Sequence, residues 1–211
     1  NRRKLLLTGP PGTGKTMTAE VLASELHLPL LTVLMDKLVT KFMGETSAKL
    51  RLVFDCVQEQ KGVYLFDEFD AIGGERALDN DVGEIRRVLN SFLQFIERDQ
   101  SDSIIIAATN NIRLLDQALF RRFDDVMRYD LPKAAEAKRL IANRLCDFRS
   151  PGLSLSAAIK EELPLSHSEI SQACDDAIKE TILNGKLKVT TALLRAMLHD
   201  RRSAYGEDYR E

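Results

Sequence analysis

Residues 9–16 read Gly-Pro-Pro-Gly-Thr-Gly-Lys-Thr, and the reading of this octapeptide decides the fold. It satisfies GxxxxGK[ST], a pattern that acts only between a strand and the start of a helix. Both flanks are present: residues 4–8 form a short apolar run, and Met17, Val21, Leu22 and Leu26 recur at helical spacing behind the loop. In such a loop Gly9, Gly12 and Gly14, with Pro10, Pro11 and Thr13 between them, let the backbone curl until its N–H groups converge on phosphate oxygens. The helix N-terminus adds about half a positive charge. Lys15 is expected to reach the terminal phosphates, Thr16 to hold Mg2+ through its hydroxyl, and Met17 to complete the nucleotide-binding set. A glycine-rich turn that merely precedes Lys-Thr is the competing reading, and the strand-loop-helix context weighs against it.

The strand-helix unit recurs outward from the loop. Residues 30–33, 63–66, 103–108 and 126–129 read as further apolar strands, and residues 46–58, 82–96 and 114–120 as helices. Buried strands alternating with helices predict an α/β domain over residues 1–131, a five-stranded parallel sheet with flanking helices. Past Leu131-Pro132 the pattern is helical throughout, over residues 134–148, 155–161, 166–184 and 190–201. Residues 132–211 are therefore expected to form a small all-α domain. No internal repeat or low-complexity segment interrupts either part.

Composition narrows the function classes. The 211 residues are 44% hydrophobic, enough for a sizeable core, and 30 Lys and Arg against 32 Asp and Glu leave a net charge of −2. Nothing global points to nucleic acid or an anionic membrane as partner. Cys56, Cys146 and Cys174 are odd in number, widely spaced and within helical stretches, which argues for reduced thiols and a cytoplasmic compartment. The three histidines lack metal-ligand spacing, and the longest apolar run, residues 104–108, is far short of the roughly 20 residues of a membrane helix. There is no signal peptide, and a chain opening on Asn1 almost directly before a strand reads as a fragment of something longer.

A phosphate loop needs an acidic partner at the end of a second buried strand, and Val63-Tyr64-Leu65-Phe66-Asp67-Glu68 supplies one. Asp67 is expected to hold the metal from its outer shell, and Glu68 to polarise a water in line with the terminal phosphate. Taken alone, the pair has a strand ending in solvated carboxylates as its competing reading. Asp70, one turn on, reads as a helix cap or a surface charge. A third apolar strand runs into Thr109-Asn110-Asn111, where Asn110 is expected to hydrogen-bond the phosphate or the attacking water, with an Asx turn as the alternative.

Together GPPGTGKT, FDEFD, AATN and RRFD, in this order, resemble the AAA+ ATPases, in particular the clade of membrane-bound bacterial proteases, proteasomal unfoldases and severing enzymes. The likeness covers nearly the whole chain. It implies a P-loop NTPase fold with a helical lid, ATP and Mg2+ as cofactors, Lys15 and Thr16 in Walker A, Asp67 and Glu68 in Walker B, and Asn110 as phosphate sensor. It also implies that Arg121 and Arg122 are arginine fingers reaching a neighbouring subunit, so that hydrolysis needs a ring, usually a hexamer. Without the resemblance, two adjacent arginines read as a solvated face. Many relatives separate these arginines by Pro-Gly, and carry Ser-Gly-Ala-Glu-Ile where Ser166-His167-Ser168-Glu169-Ile170 stands here, which puts a histidine at a usual glycine.

In the same family the segment before the second helix forms the central-pore loop. Lys41, Phe42, Met43 and Gly44 match its pattern of an aromatic and an aliphatic residue followed by glycine. Phe42 and Met43 would then grip a protein client without sequence preference; a helix-entry staple is the alternative. Three functions remain in view: a ring ATPase that pulls on a polypeptide, a nucleotide-dependent assembly switch, and a nucleic-acid motor. Glu68 argues against the switch, and the absence of a basic, aromatic-interleaved stripe argues against the motor. The chain has no HExxH and no serine nucleophile motif, so any peptidase, like any adaptor, belongs to another domain or protein.

Overall fold

Successive residues of a strand face opposite sides of a sheet, so an unbroken apolar strand asks to be covered twice. The structure, a computed structural model, describes residues 2–38, 43–72, 82–111, 120–160 and 162–204. Its contacts divide the chain into two units, Asn1–Pro10 with Lys15–Tyr129, and Pro11–Gly14 with Asp130–Glu211.

In the first unit, β1 (Lys4–Thr8), β2 (Leu30–Leu34), β3 (Val63–Asp67), β4 (Ile104–Thr109) and β5 (Asp125–Arg128) form one five-stranded sheet in the order β2-β3-β4-β1-β5. Every ladder is parallel, as the alternation of strands and helices predicts. The helices are α1 (Lys15–Glu25), α2 (Met35–Leu38), α3 (Met43–Glu59) and α4 (Val82–Arg98). On one face Leu6, Tyr64, Phe66, Ile105 and Ala107 pack with Leu50 and Phe54 of α3 and Val88, Phe92 and Ile96 of α4. On the other, Leu7, Val63, Leu65, Ile106 and Ala108 pack with Ala19 and Ala23 of α1. Burying each large apolar side chain stabilises the fold by about 1.5–3 kcal/mol. The rings of Phe54, Phe66, Phe69, Phe92 and Phe95 add a cluster with centroids 4.6 to 5.7 Å apart.

The position of β4 matters most for the site. It lies between β1 and β3, with Thr109 opposite Thr8 and Ala107 opposite Phe66. The carboxyl ends of β3, β4 and β1 therefore stand side by side, the end of an open parallel sheet where ligands bind.

The second unit contains α5 (Ala134–Leu145), α6 (Leu155–Ile159), α7 (His167–Leu183) and α8 (Thr191–Ala204), and no described residue there belongs to a strand of the sheet. Its core includes Ile141, Leu145, Ile170, Ala173, Cys174, Ala177, Leu194 and Leu198. Arg144 joins α5 to α7 by two hydrogen bonds to Asp175, of 2.7 and 2.6 Å. At the start of α7, Ser166 Oγ accepts the Glu169 N–H while the Glu169 carboxylate accepts the Ser166 N–H, a closed capping box.

Several boundaries differ from the sequence reading. Helix α3 begins at Met43 instead of 46, which places Met43 and Gly44 in its first turn; Glu45 there suits the positive end of the helix. Strands β3 and β4 each run one residue further, to Asp67 and Thr109. The helix expected over 134–148 breaks after Leu145: the Cys146 N–H still makes the last helical bond, to the Ala142 carbonyl, but Cys146 takes φ +41°, which turns the chain out of the helix and into a 3-10 turn. The helix expected over 114–120 falls outside the described residues except for Phe120, which is helical. All three cysteines are free thiols, and burial pushes that of Cys174 up to about 12. No described helix is long and apolar enough to cross a membrane.

Candidate active site

The phosphate loop joins β1 to α1 directly, with Lys15 the first helical residue. Gly9 takes φ +143°, and its N–H donates to the Thr109 carbonyl at 3.3 Å. A Cβ at Gly9 would lie 2.1 Å from the Tyr129 carbonyl oxygen, so no side chain fits there. Gly14 takes φ +100° with open space around it. Pro10, Pro11 and Gly12 are exposed, Thr13 is buried, and Met17 is 65% exposed.

Lys15 is buried, and its ammonium donates to the carbonyls of Gly9 at 2.8 Å and Pro10 at 2.9 Å. Burial lowers its pKa, and the negative charges of Asp67 and Asp70 work against that shift. Next to it, Thr16 Oγ1 donates to Asp67 Oδ2 at 2.9 Å, which joins the first turn of α1 to the end of β3. The other Asp67 oxygen accepts the Glu68 N–H at 2.9 Å. Glu68 is exposed and takes φ +54°, a left-handed conformation that costs a residue other than glycine about 1–3 kcal/mol. The chain thus turns sharply at the carboxylate that sequence reasoning marks as catalytic.

Asp70 is neither a helix cap nor a surface charge, as the sequence reading has it. It sits in the 3-10 turn Phe69–Ile72, where its Oδ1 accepts the Thr109 hydroxyl at 3.2 Å and the Asn110 N–H at 3.1 Å. Two carboxylates from one short segment therefore reach across the sheet end, Asp67 to α1 and Asp70 to β4. The Asp-Glu-Phe-Asp spacing was the available signal, but its partners lie about forty residues away in the sequence. Asn110 is exposed at the end of β4.

The two arginines part company. Arg122 forms an ion pair with Glu97 near the end of α4, whereas Arg121 is exposed and has no hydrogen-bond or ion-pair partner among the described residues. In the second unit, the Gly12 carbonyl accepts the Ser168 N–H at 3.0 Å, and His167 Nδ1 is buried without a hydrogen bond. Lys41 and Phe42 lie outside the described residues.

The donor set fits a nucleotide with a divalent cation. A buried ammonium already held by two carbonyl oxygens, a hydroxyl facing a carboxylate and a loop whose first glycine leaves no room for a side chain are the parts such a ligand needs. Comparison with known proteins agrees. Residues 5–131 match the family described as ATPase family associated with various cellular activities (AAA). The chain is 39% identical over 204 residues to an uncharacterized AAA family ATPase, y4kL, of Sinorhizobium fredii, covering 94% of this chain and 60% of that protein. It is 33% identical to the ATP-dependent zinc metalloprotease FtsH of Lancefieldella parvula, covering 90% of this chain and 30% of that protein. It is 32% identical to proteasome-activating nucleotidase 2 of Haloferax volcanii, covering 89% of this chain and 48% of that protein. The chain thus spans between three tenths and three fifths of these relatives, and the matched span contains the loop, the carboxylate-bearing end of β3, the end of β4 and the arginine pair: it belongs to the AAA family of ATPases.

Proposed function

We propose that this chain is the ATP-hydrolysing module of a hexameric ring that remodels a protein client in the cytoplasm. The observation that carries the reading is the bond from Thr16 to Asp67 beside buried Lys15, because it brings a metal-binding hydroxyl and carboxylate together next to a phosphate-binding amine. Lys15 would exchange the carbonyls of Gly9 and Pro10 for phosphate oxygens. Thr16 and Asp67 would hold Mg2+, which supplies charge neutralisation at the phosphates when bound. Glu68 orients and polarises the attacking water, and Asn110 fixes the phosphate or that water.

Arg121 is the finger that acts across the subunit boundary. Its freedom supports this, since Arg122 is already engaged by Glu97 within its own chain. Such a finger is worth a factor of about 10³ to 10⁵ in rate, or about 4–7 kcal/mol. Lys41, Phe42, Met43 and Gly44 are the segment that grips the client. A separate peptidase or adaptor would work with the ring, and the likeness to an ATP-dependent zinc metalloprotease and a proteasome-activating nucleotidase supports a link to protein breakdown.

The test is Glu68→Gln in the full-length protein, with ATP added and both mass and binding of fluorescent casein, an unfolded polypeptide probe, measured. A nucleotide-dependent rise in mass, retained casein and hydrolysis reduced about 10²- to 10⁴-fold are expected. A monomer with undiminished hydrolysis would refute the reading.

A further inference from the structure

The contacts of Asp70 exceed what the end of a strand requires. Asn110 is exposed, so water alone would satisfy its main-chain N–H, yet that N–H donates to Asp70 Oδ1 at 3.1 Å. The same oxygen accepts from Thr109 Oγ1 at 3.2 Å, and this buried hydroxyl in turn accepts the Asn111 N–H at 3.2 Å. One carboxylate oxygen therefore organises three successive residues at the end of β4. Its own position is set from below: Phe69, fully buried, stands 4.6 Å from Phe92 of α4, ring centroid to ring centroid. Glu68 and Asp70 flank this anchor on either side in the sequence. The backbone of the turn is thus held at Phe69 by packing and at Asp67 by the bond from Thr16.

We propose that Asp70 is a positioning residue for hydrolysis, one that clamps the end of β4 to the turn after β3 and so fixes the spacing between Asn110 and Glu68. The proposal rests on the reading above that these two groups act on the phosphate and the water. The clamp acts on the alignment of the attack, where a displacement of about 1 Å costs on the order of 10²-fold in rate; the Asp70 charge also reaches Lys15, a separate effect that Asp70→Asn isolates by removing the charge and keeping the acceptor.

The experiment measures steady-state ATP hydrolysis and, separately, affinity for a fluorescent ATP analogue in full-length protein. Asp70→Ala is expected to lower kcat by about 10- to 100-fold while changing nucleotide affinity less than about threefold. Asp70→Asn, which retains an acceptor oxygen, recovers most of the loss. Thr109→Val reproduces part of it and Thr109→Ser restores it, and this pair decides the matter if Asp70→Ala fails to fold. A kcat within about twofold of wild type in Asp70→Ala or, failing that, Thr109→Val overturns the proposal. So does an affinity loss that matches the loss in kcat, because a site that merely collapses loses both. Absence of hydrolysis in the wild type would instead sink the underlying functional reading.

Discussion

Replacing Gly9 by alanine probes how tightly the phosphate loop is held. The new Cβ would lie 2.1 Å from the Tyr129 carbonyl oxygen and 2.9 Å from its carbon. Carbon and oxygen seldom approach within about 3.3 Å, so roughly 1 Å of backbone movement is required. Tyr129 resists it, because its N–H donates to the Thr8 carbonyl at 2.7 Å and its hydroxyl to Thr18 Oγ1 at 2.7 Å. Losing those bonds costs about 1 kcal/mol each, and alanine at φ +143° adds about 1–3 kcal/mol of strain. The sum, about 3–5 kcal/mol, corresponds to a fall in Tm of about 6–20 °C for a chain of this size. Gly14→Ala is the control: at φ +100° it meets the strain but no atom within 4 Å, so it should lose less. Circular-dichroism melts of both variants, with titration of a fluorescent ATP analogue, measure the difference. Nucleotide affinity should fall for Gly9→Ala as well, since the Gly9 carbonyl holds Lys15. A Gly9→Ala melt within about 2 °C of wild type and unchanged affinity would refute the argument.

Two further outcomes follow from the side-chain partners. Arg121→Ala should cost far more hydrolysis than Arg122→Ala, because the half-exposed ion pair of Arg122 with Glu97 is worth only about 0–1 kcal/mol; mixing Arg121→Ala with Lys15→Ala subunits should restore activity that neither has alone. Equal losses in the two arginine variants, or no recovery on mixing, would count against Arg121 as the finger. Asp176 is held below the usual carboxylate range by its hydrogen bond from Arg201. A depressed folded-state value contributes stability that is present above the unfolded value of about 4 and lost as pH falls through the folded one. Asp176→Asn should therefore flatten that part of the acid side of a stability-against-pH curve, and an unchanged acid limb would show that the pair carries no linkage.

The parts of the fold that depend on local pattern were readable from the chain. Alternating apolar strands and periodic helices announced a parallel sheet, and the residues 9–16 located the loop between β1 and α1. The order of the strands was not readable, because the insertion of β4 between β1 and β3 is settled by pairing between segments far apart in sequence. The same distance hid Asp70, whose partners are a hydroxyl and a main-chain N–H on another strand. Local conformational choices also escaped: φ +41° at Cys146 breaks a helix whose apolar periodicity continues through it. The pairing of Arg122, and not Arg121, with Glu97 was hidden too, since nothing in the RRFD stretch announces it.

Phe69 gives the packing beneath the site a wider meaning. It stands between Glu68 and Asp70 in the sequence, yet its ring is buried with Phe92, and Phe92 also touches Phe54 and Phe66. The packing thus connects a side chain on the inner face of α4 to the turn that carries Glu68 and Asp70, neither of which it meets. Under the roles proposed for Glu68 and Asp70, apolar substitutions at Phe92 alone would tune turnover while leaving every polar group of the site in place.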